Sequence, residues 1–348
     1  MIRNNCFQSA RGQYNIRMKN GDRESIDVHV HILAVAEANG ARVCAKMRRS
    51  LMSLCLGAKY GWRGDDEAFD RTYADRLARE IRESSTTDRA VVLAFDGVYD
   101  SSGAFDSART SAYIPNEYCL KLCERHPEFI FGASVNPARA DALDELEKVA
   151  AQSAALIKWV ANSQDINPAE PSFFPFYRKM AELKLPLLSH TGYEHCVKTL
   201  NHAYGDPKLL RVALDEGVTV IAAHAGTSGI GHPIEYFDDY LAMLDEYPNL
   251  WGDLGAVTGI TRFKYIPAML AREGFAQRCL QATDFPAPPI PALFVRDVGA
   301  RRALGLSMRR NIFDKDVELK RALGFPDDIL YKAVELLPEA SLRPRSYQ

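Results

Sequence analysis

Along this chain, short runs that are apolar almost throughout alternate with longer stretches whose apolar residues recur every third or fourth position. Eight runs stand out: "SIDVHVHIL" (25–33), "RAVVLAFDG" (89–97), "FIFGASVNP" (129–137), "AALIKWV" (154–160), "LPLLSHTG" (185–192), "VTVIAAHAG" (218–226), "NLWGDLGAV" (249–257) and "CLQATDFP" (279–286). Continuous apolar bodies of this length fit strands buried on both faces of a parallel sheet. Between them, "NEYCLKLCERHPE" (116–128), "PFYRKMAELKLP" (175–186) and "PKLLRVALDEG" (207–217) have the spacing of amphipathic helices.

The spacing of the runs is regular. Lys158 to His190 is 32 residues, His190 to His224 is 34, His224 to Asp253 is 29 and Asp253 to Asp284 is 31. A strand-helix unit repeated eight times near this length predicts a (β/α)₈ TIM barrel, one domain over residues 1–348. No glycine-rich phosphate turn follows the first run, as a doubly wound open sheet would carry. Residues 33–88 break the rhythm and contain a basic patch, "RVCAKMRRS" (42–50), and an aromatic cluster, "KYGWRGDD" (59–66). They are expected to form either a solvated helix pair or a lid over the barrel mouth, whose cations draw an anionic small molecule. Residues 292–348 read as a helical extension packed outside the barrel.

The first run carries chemistry as well as pattern. Asp27, His29 and His31 fall at every second position, which in a strand puts them on one face and Ile26, Val28, Val30 and Ile32 on the other. Adjacent imidazoles on one face suit a metal ion. A barrel keeps its chemistry at the C-terminal ends of its strands, and there the other runs present Lys158, His190, His224 and Asp284. Four of the eight histidines thus belong to one ring. His126 reads as a surface residue, and His195, His202 and His232 as loop residues on the same face. Asp253 faces the site or caps a turn, and Asp27 is expected deeper in the barrel, orienting a histidine. Arg262 and Lys264 could bind substrate charge but read first as exposed cations, and Tyr99 and Trp159 as packing.

Composition narrows the class. Apolar residues make up 47% of the chain and the net charge is −2, which leaves no reservoir of positive charge for nucleic acid. Seven cysteines without a CxxC argue for reduced thiols and against structural zinc on cysteine. No stretch reaches 18 apolar residues, and the first twenty residues lack the apolar core of a leader, so a cytoplasmic enzyme is expected. A homodimer is a common state for such barrels.

Taken together, the HxH of "DVHVH", "SHTG", "AAHAG", "ATDFP" and "HPEFIFGASVNP" resemble the amidohydrolase superfamily from about Ile26 to Pro286. The resemblance is to its amidohydrolase-related (amidohydrolase 2) branch. That branch also includes decarboxylases related to aminocarboxymuconate semialdehyde decarboxylase. It implies a metal held by His29, His31 and Asp284, with His190 and His224 completing that site or holding a second ion. Asp284 would also act as general base toward the activated water, which attacks an amide, lactone or ester carbonyl, and His224 and Lys158 would assist. Zn²⁺ suits such ligands, with Mn²⁺, Fe²⁺ or Co²⁺ open to them. Lys158 has two readings: a carboxylated lysine bridging a binuclear centre as a sixth ligand, or a plain ammonium gripping a substrate carboxylate. Hydrolysis is the expected chemistry, with a decarboxylase or hydratase on an unsaturated acid as the alternative. A barrel that only binds its ligand is the third reading, and the intact ring of ligands argues against it.

Overall fold

The computed structural model describes residues 23–343 except 50, 195 and 232. The N-terminal segment read as lacking a leader, and His195 and His232, therefore lie outside the described residues. Eight strands form one sheet: β1 (Ile26–His31), β2 (Arg89–Leu93), β3 (Phe129–Ala133), β4 (Leu156–Trp159), β5 (Leu187–Ser189), β6 (Val220–Ala222), β7 (Leu250–Asp253) and β8 (Cys279–Leu280). Each pairs in parallel with the next in sequence. Past the end of β8 the chain returns to β1 through a parallel bridge between Val30 and Phe285, with His31 N–H donating to Phe285 O at 2.9 Å. The fold is the expected (β/α)₈ barrel. Among the described residues no helix is long and apolar enough to cross a membrane.

Local chemistry places the surrounding helices. In α1 (Asp66–Glu83), the Asp65 carboxylate caps the start by accepting from Ala68 N–H, and two acidic residues occupy the first turn. Phe69, Tyr73, Leu77 and Ile81, four apart, form its buried stripe. This makes α1 the outer helix of the first βα unit. The extra material between β1 and β2 is therefore residues 33–65, not all of 33–88. The tail also differs from expectation. Helix α2 (Ile312–Leu323) does pack on the outside, but Ala333 and Leu337 join the cluster of inward-facing residues Ile26, Val28, Val91, Ile130, Leu156 and Leu188. Ala333 and Leu337 thus close the interior of the barrel at the end opposite the C-terminal ends of the strands.

The strict alternation in β1 conceals a bulge. Asp27 pairs with Ala90 and Val30 with Val92, so Val28 and His29 together oppose the single residue Val91. The phase therefore shifts within the strand. Ile26 and Val28 face inward, Val30 and Ile32 join the outer core, and His29 and His31 point into the barrel. Asp27 is not on their face. Its carboxylate lies between β1 and β8, accepting from His29 N–H at 3.0 Å and Thr283 N–H at 2.9 Å, on the side where Lys320 and Asp316 of α2 lie. Burial pushes this carboxyl up to about 7.

Candidate metal centre

Six residues predicted from sequence meet at the C-terminal mouth, and Asp253 joins them from β7. His29 Nε2, His31 Nε2 and Asp284 Oδ1 form a triangle with sides of 3.2, 3.2 and 3.3 Å. Ligand atoms about 2.1 Å from one ion stand about 3.0 Å apart at octahedral and about 3.4 Å apart at tetrahedral angles. The triangle fits between those limits, so these three residues can share a divalent cation.

Hydrogen bonds set which nitrogen each imidazole offers. His29 Nδ1 lies 2.8 Å from Asp253 Oδ2, so it carries the proton and leaves the Nε2 lone pair toward the triangle. His224 Nδ1 donates to Gly255 O at 2.9 Å, leaving its Nε2 3.2 Å from His190 Nδ1. The four rings are contiguous, with centroids 5.0 Å apart for His29–His31, 5.3 Å for His29–His224 and 5.0 Å for His190–His224. Among the described residues the buried His190 Nε2 has no hydrogen-bond partner, and Glu194 Oε2 stands 3.6 Å away. An orphaned imidazole nitrogen beside a carboxylate is a further sign of a site built for a ligand.

Asp253 is the residue that organises this centre. Fully buried, it binds His29 through one oxygen and accepts from the backbone N–H of His224 and of Gly255 through the other, each at 2.8 Å. Burial alone would push its carboxyl up. The polar His29 ring beside it, its hydrogen bond and the two backbone N–H groups prevail and hold it down at about 2. At Asp284 burial is likewise outweighed, by His29, His31 and Lys158, so that it is ionised below the usual carboxylate range. The imidazoles of His29, His190 and His224 are lowered mainly by burial and then by neighbouring cations, which keeps them neutral and able to donate a lone pair.

The backbone is strained where it delivers these ligands. His224 and Asp284 adopt left-handed φ values of 58° and 59°, a conformation L-residues rarely take. After His224 and Ala225, Gly226 continues at φ 69°, and a Cβ there would stand 2.2 Å from Tyr240 Cγ. That close approach explains the glycine in "AAHAG".

Lys158, inward on β4 and fully buried, brings Nζ to 2.9 Å from His29 Nε2, the same lone pair the triangle uses. Burial lowers its ammonium to about 8. Arg262 corrects the sequence expectation. It is not exposed; its guanidinium is buried against the loops after β5 and β6, donating to Thr227 O and Oγ1, to Thr191 O at 3.1 Å and to Tyr193 O at 3.5 Å. It ties together the loops that follow His190 and His224. Lys264 is exposed and paired with Glu235, His202 stacks on Tyr193 away from the ring, and Trp159 packs outward against Phe176. His126 sits half-buried at a helix end, 3.4 Å from Asp75.

Above the ring lies a cavity of about 430 Å³ whose floor includes His31, His190, His224 and Asp284. Residues 33–62 supply one wall, with Met47, Arg48 and Trp62 among them. Arg48 is the member of the basic patch that reaches this cavity; one of its terminal amino groups pairs with Asp66 and its guanidinium lies 5.6 Å over Trp62, while its buried Nε has no hydrogen-bond partner among the described residues.

Comparison with known proteins agrees with this geometry. The amidohydrolase family model (Amidohydro_2) matches residues 26–322. No curated protein matches the chain. Similar solved structures include an uncharacterized TIM-barrel protein of Bordetella bronchiseptica, 13% identical with a TM-score of 0.56, covering 86% of this chain and 99% of that one. A Pseudomonas putida protein named provisionally as a 2-pyrone-4,6-dicarboxylic acid hydrolase is 15% identical with a TM-score of 0.51, over 91% and 96% of the two chains. A manganese-bound 5-carboxyvanillate decarboxylase of Novosphingobium aromaticivorans is 15% identical with a TM-score of 0.50, over 88% and 96%. At such identities the likeness is one of fold.

Proposed function

This chain belongs to the amidohydrolase family, and from that premise we propose that it is a divalent-metal-dependent hydrolase of a small-molecule ester, lactone or amide. The observation that carries the reading is the triangle of His29 Nε2, His31 Nε2 and Asp284 Oδ1, with sides that suit one cation. A divalent ion there, zinc by the chemistry of the donors, supplies Lewis acidity to a carbonyl and acidifies water.

The chain's own residues do the rest. Asp284, ionised and with a fifth of its side chain facing the cavity, accepts the proton of the attacking water and returns it to the leaving group. His224, its tautomer fixed by Gly255 O, presents a lone pair toward the reacting centre and serves as a hydrogen-bond acceptor there. Lys158 donates to His29 Nε2; with that lone pair taken by an ion, its amine is left to donate to a substrate oxygen. The apolar cavity excludes bulk water from these exchanges. Lys158 also supports a second reading. An ammonium buried beside the ligand face can hold a substrate carboxylate and return a proton to the carbon that loses CO₂, as a decarboxylase requires.

The test is elemental analysis of protein purified without chelator, followed by turnover of an ester, lactone and amide panel with trapping of released CO₂. One equivalent of metal with hydrolysis is expected. Two equivalents would point to Lys158 as a carboxylated bridge between ions. CO₂ release without hydrolysis would replace the hydrolase with the decarboxylase, and failure to take up metal would overturn both.

A further inference from the structure

Outside the metal centre, residues 295–310, "VRDVGARRALGLSMRR", carry five arginines against a single aspartate in a chain whose net charge is −2. They form a short helix, Val295–Val298, and a longer one, Ala300–Ser307. The longer helix buries Ala303 and Leu306 against the protein and leaves Arg301, Leu304 and Met308 outside, Leu304 64% and Met308 74% exposed. All five arginines are exposed, and among the described residues only Arg309 of the five has an ion-pair partner, Glu318 at 2.6 Å.

An isolated exposed leucine needs no explanation. Here two large apolar side chains stand four residues apart, one above the other on a free helix face. Every charged residue of the segment except Asp297 is positive. That combination has a definite complement. Guanidinium groups bond phosphate and carboxylate oxygens in pairs, while leucine and methionine side chains gain by leaving water. The headgroup layer of an anionic bilayer offers both, with arginines held at the phosphates and apolar side chains reaching the acyl boundary. A nucleic-acid backbone would engage the arginines and leave Leu304 and Met308 in water. A second copy of the same face would set arginine against arginine across a twofold axis.

We propose that residues 295–310 are a docking surface for an anionic membrane, with Arg296, Arg301, Arg302 and Arg310 at the headgroups and Leu304 and Met308 as apolar anchors. The attachment is peripheral and independent of the reaction at the ring. Val295 follows Ile290, which lines the cavity, by five positions. A docked protein therefore keeps one wall of its cavity close to the lipid.

Sedimentation of the full chain with vesicles of phosphatidylcholine, alone or with a quarter phosphatidylserine, tests it. An arginine near such a surface contributes about fivefold to partitioning. The anionic vesicles should therefore bind at least tenfold more tightly, and raising salt from about 0.1 to about 0.5 M should remove the difference. Arg301→Gln with Arg302→Gln should weaken binding about 25-fold, and Leu304→Ser with Met308→Ser at least fivefold. All four side chains are exposed, and an unchanged urea midpoint confirms the fold of each variant. No preference for the anionic vesicles overturns the proposal. So does binding that the serine pair leaves intact, or polyglutamate binding that matches the vesicles at equal negative charge, since either makes the face a site for an acidic protein. A light-scattering mass that halves in the serine pair would put a second copy on this face, and that also overturns it.

Discussion

Replacing Asp253 with Asn removes one charge at almost constant shape. The Oδ1 atom that accepts from His224 N–H and Gly255 N–H, each at 2.8 Å, must remain an oxygen, because a buried amide nitrogen cannot accept from either. That fixes the side chain with Nδ2 toward His29 Nδ1, where the carboxylate oxygen stood at 2.8 Å. Nδ2 only donates, so His29 must give up its proton at Nδ1 and carry one on Nε2, the atom that closes the triangle. The ligand then lacks a lone pair unless it breaks the new hydrogen bond. Losing a hydrogen bond to a charged partner costs about 1.5–3 kcal/mol, which is a loss of roughly 10–150-fold in metal affinity. Competition for zinc against a chromophoric chelator at neutral pH measures it, with urea unfolding of the metal-free protein as the control for fold. A D253N protein that folds and binds zinc within threefold of the unaltered protein would show that Asp253 does not set the His29 tautomer.

Asp284→Asn removes the proton acceptor and the anionic donor together, so kcat should fall by about 10²–10⁴ in steady-state assays on any substrate the panel yields. Asp27→Asn should show a pH signature. The buried carboxyl holds its proton up to about 7 in the folded chain and releases it near 3.8 when unfolded, so its contribution to stability is present at acid pH and is lost as pH rises through that window. Relative to the unaltered protein, D27N should therefore gain roughly 4 kcal/mol between pH 4 and 8 in urea melts. An unchanging difference between the two proteins would place the Asp27 pKa near its ordinary value. Arg262→Met strands the buried carbonyls of Thr191 and Thr227, at about 1–3 kcal/mol each; denaturant midpoints should fall accordingly, with Arg262→Lys intermediate.

How legible all this was in the sequence depended on the kind of interaction. The strands were readable because a doubly buried strand has no option but a continuous apolar run, and the ring because metal ligands must be side chains of few types at strand ends. The bulge in β1 was not, since "IDVHVHIL" alternates perfectly and no glycine or other local signal marks where a residue is inserted. That hid the outward turn of Asp27 and left its apparent role to Asp253. Arg262 was misread because its partners are mostly carbonyls, which every residue has, on loops some 35 and 71 positions away. The extent of the extra segment was overestimated by including α1, whose buried stripe matches any outer barrel helix.

The closure of the barrel also bears on how the protein is made. Asp27 receives its second hydrogen bond from Thr283, 256 positions away, and the interior is sealed by Ala333 and Leu337. The two histidines of the triangle leave the ribosome 255 and 253 residues ahead of Asp284, and the closing residues follow later still. Contacts at such separation form slowly because a long loop must close first. A nascent chain therefore carries an unfinished ligand set across that whole interval, and the ion can be captured with its full complement only once Asp284 has been added.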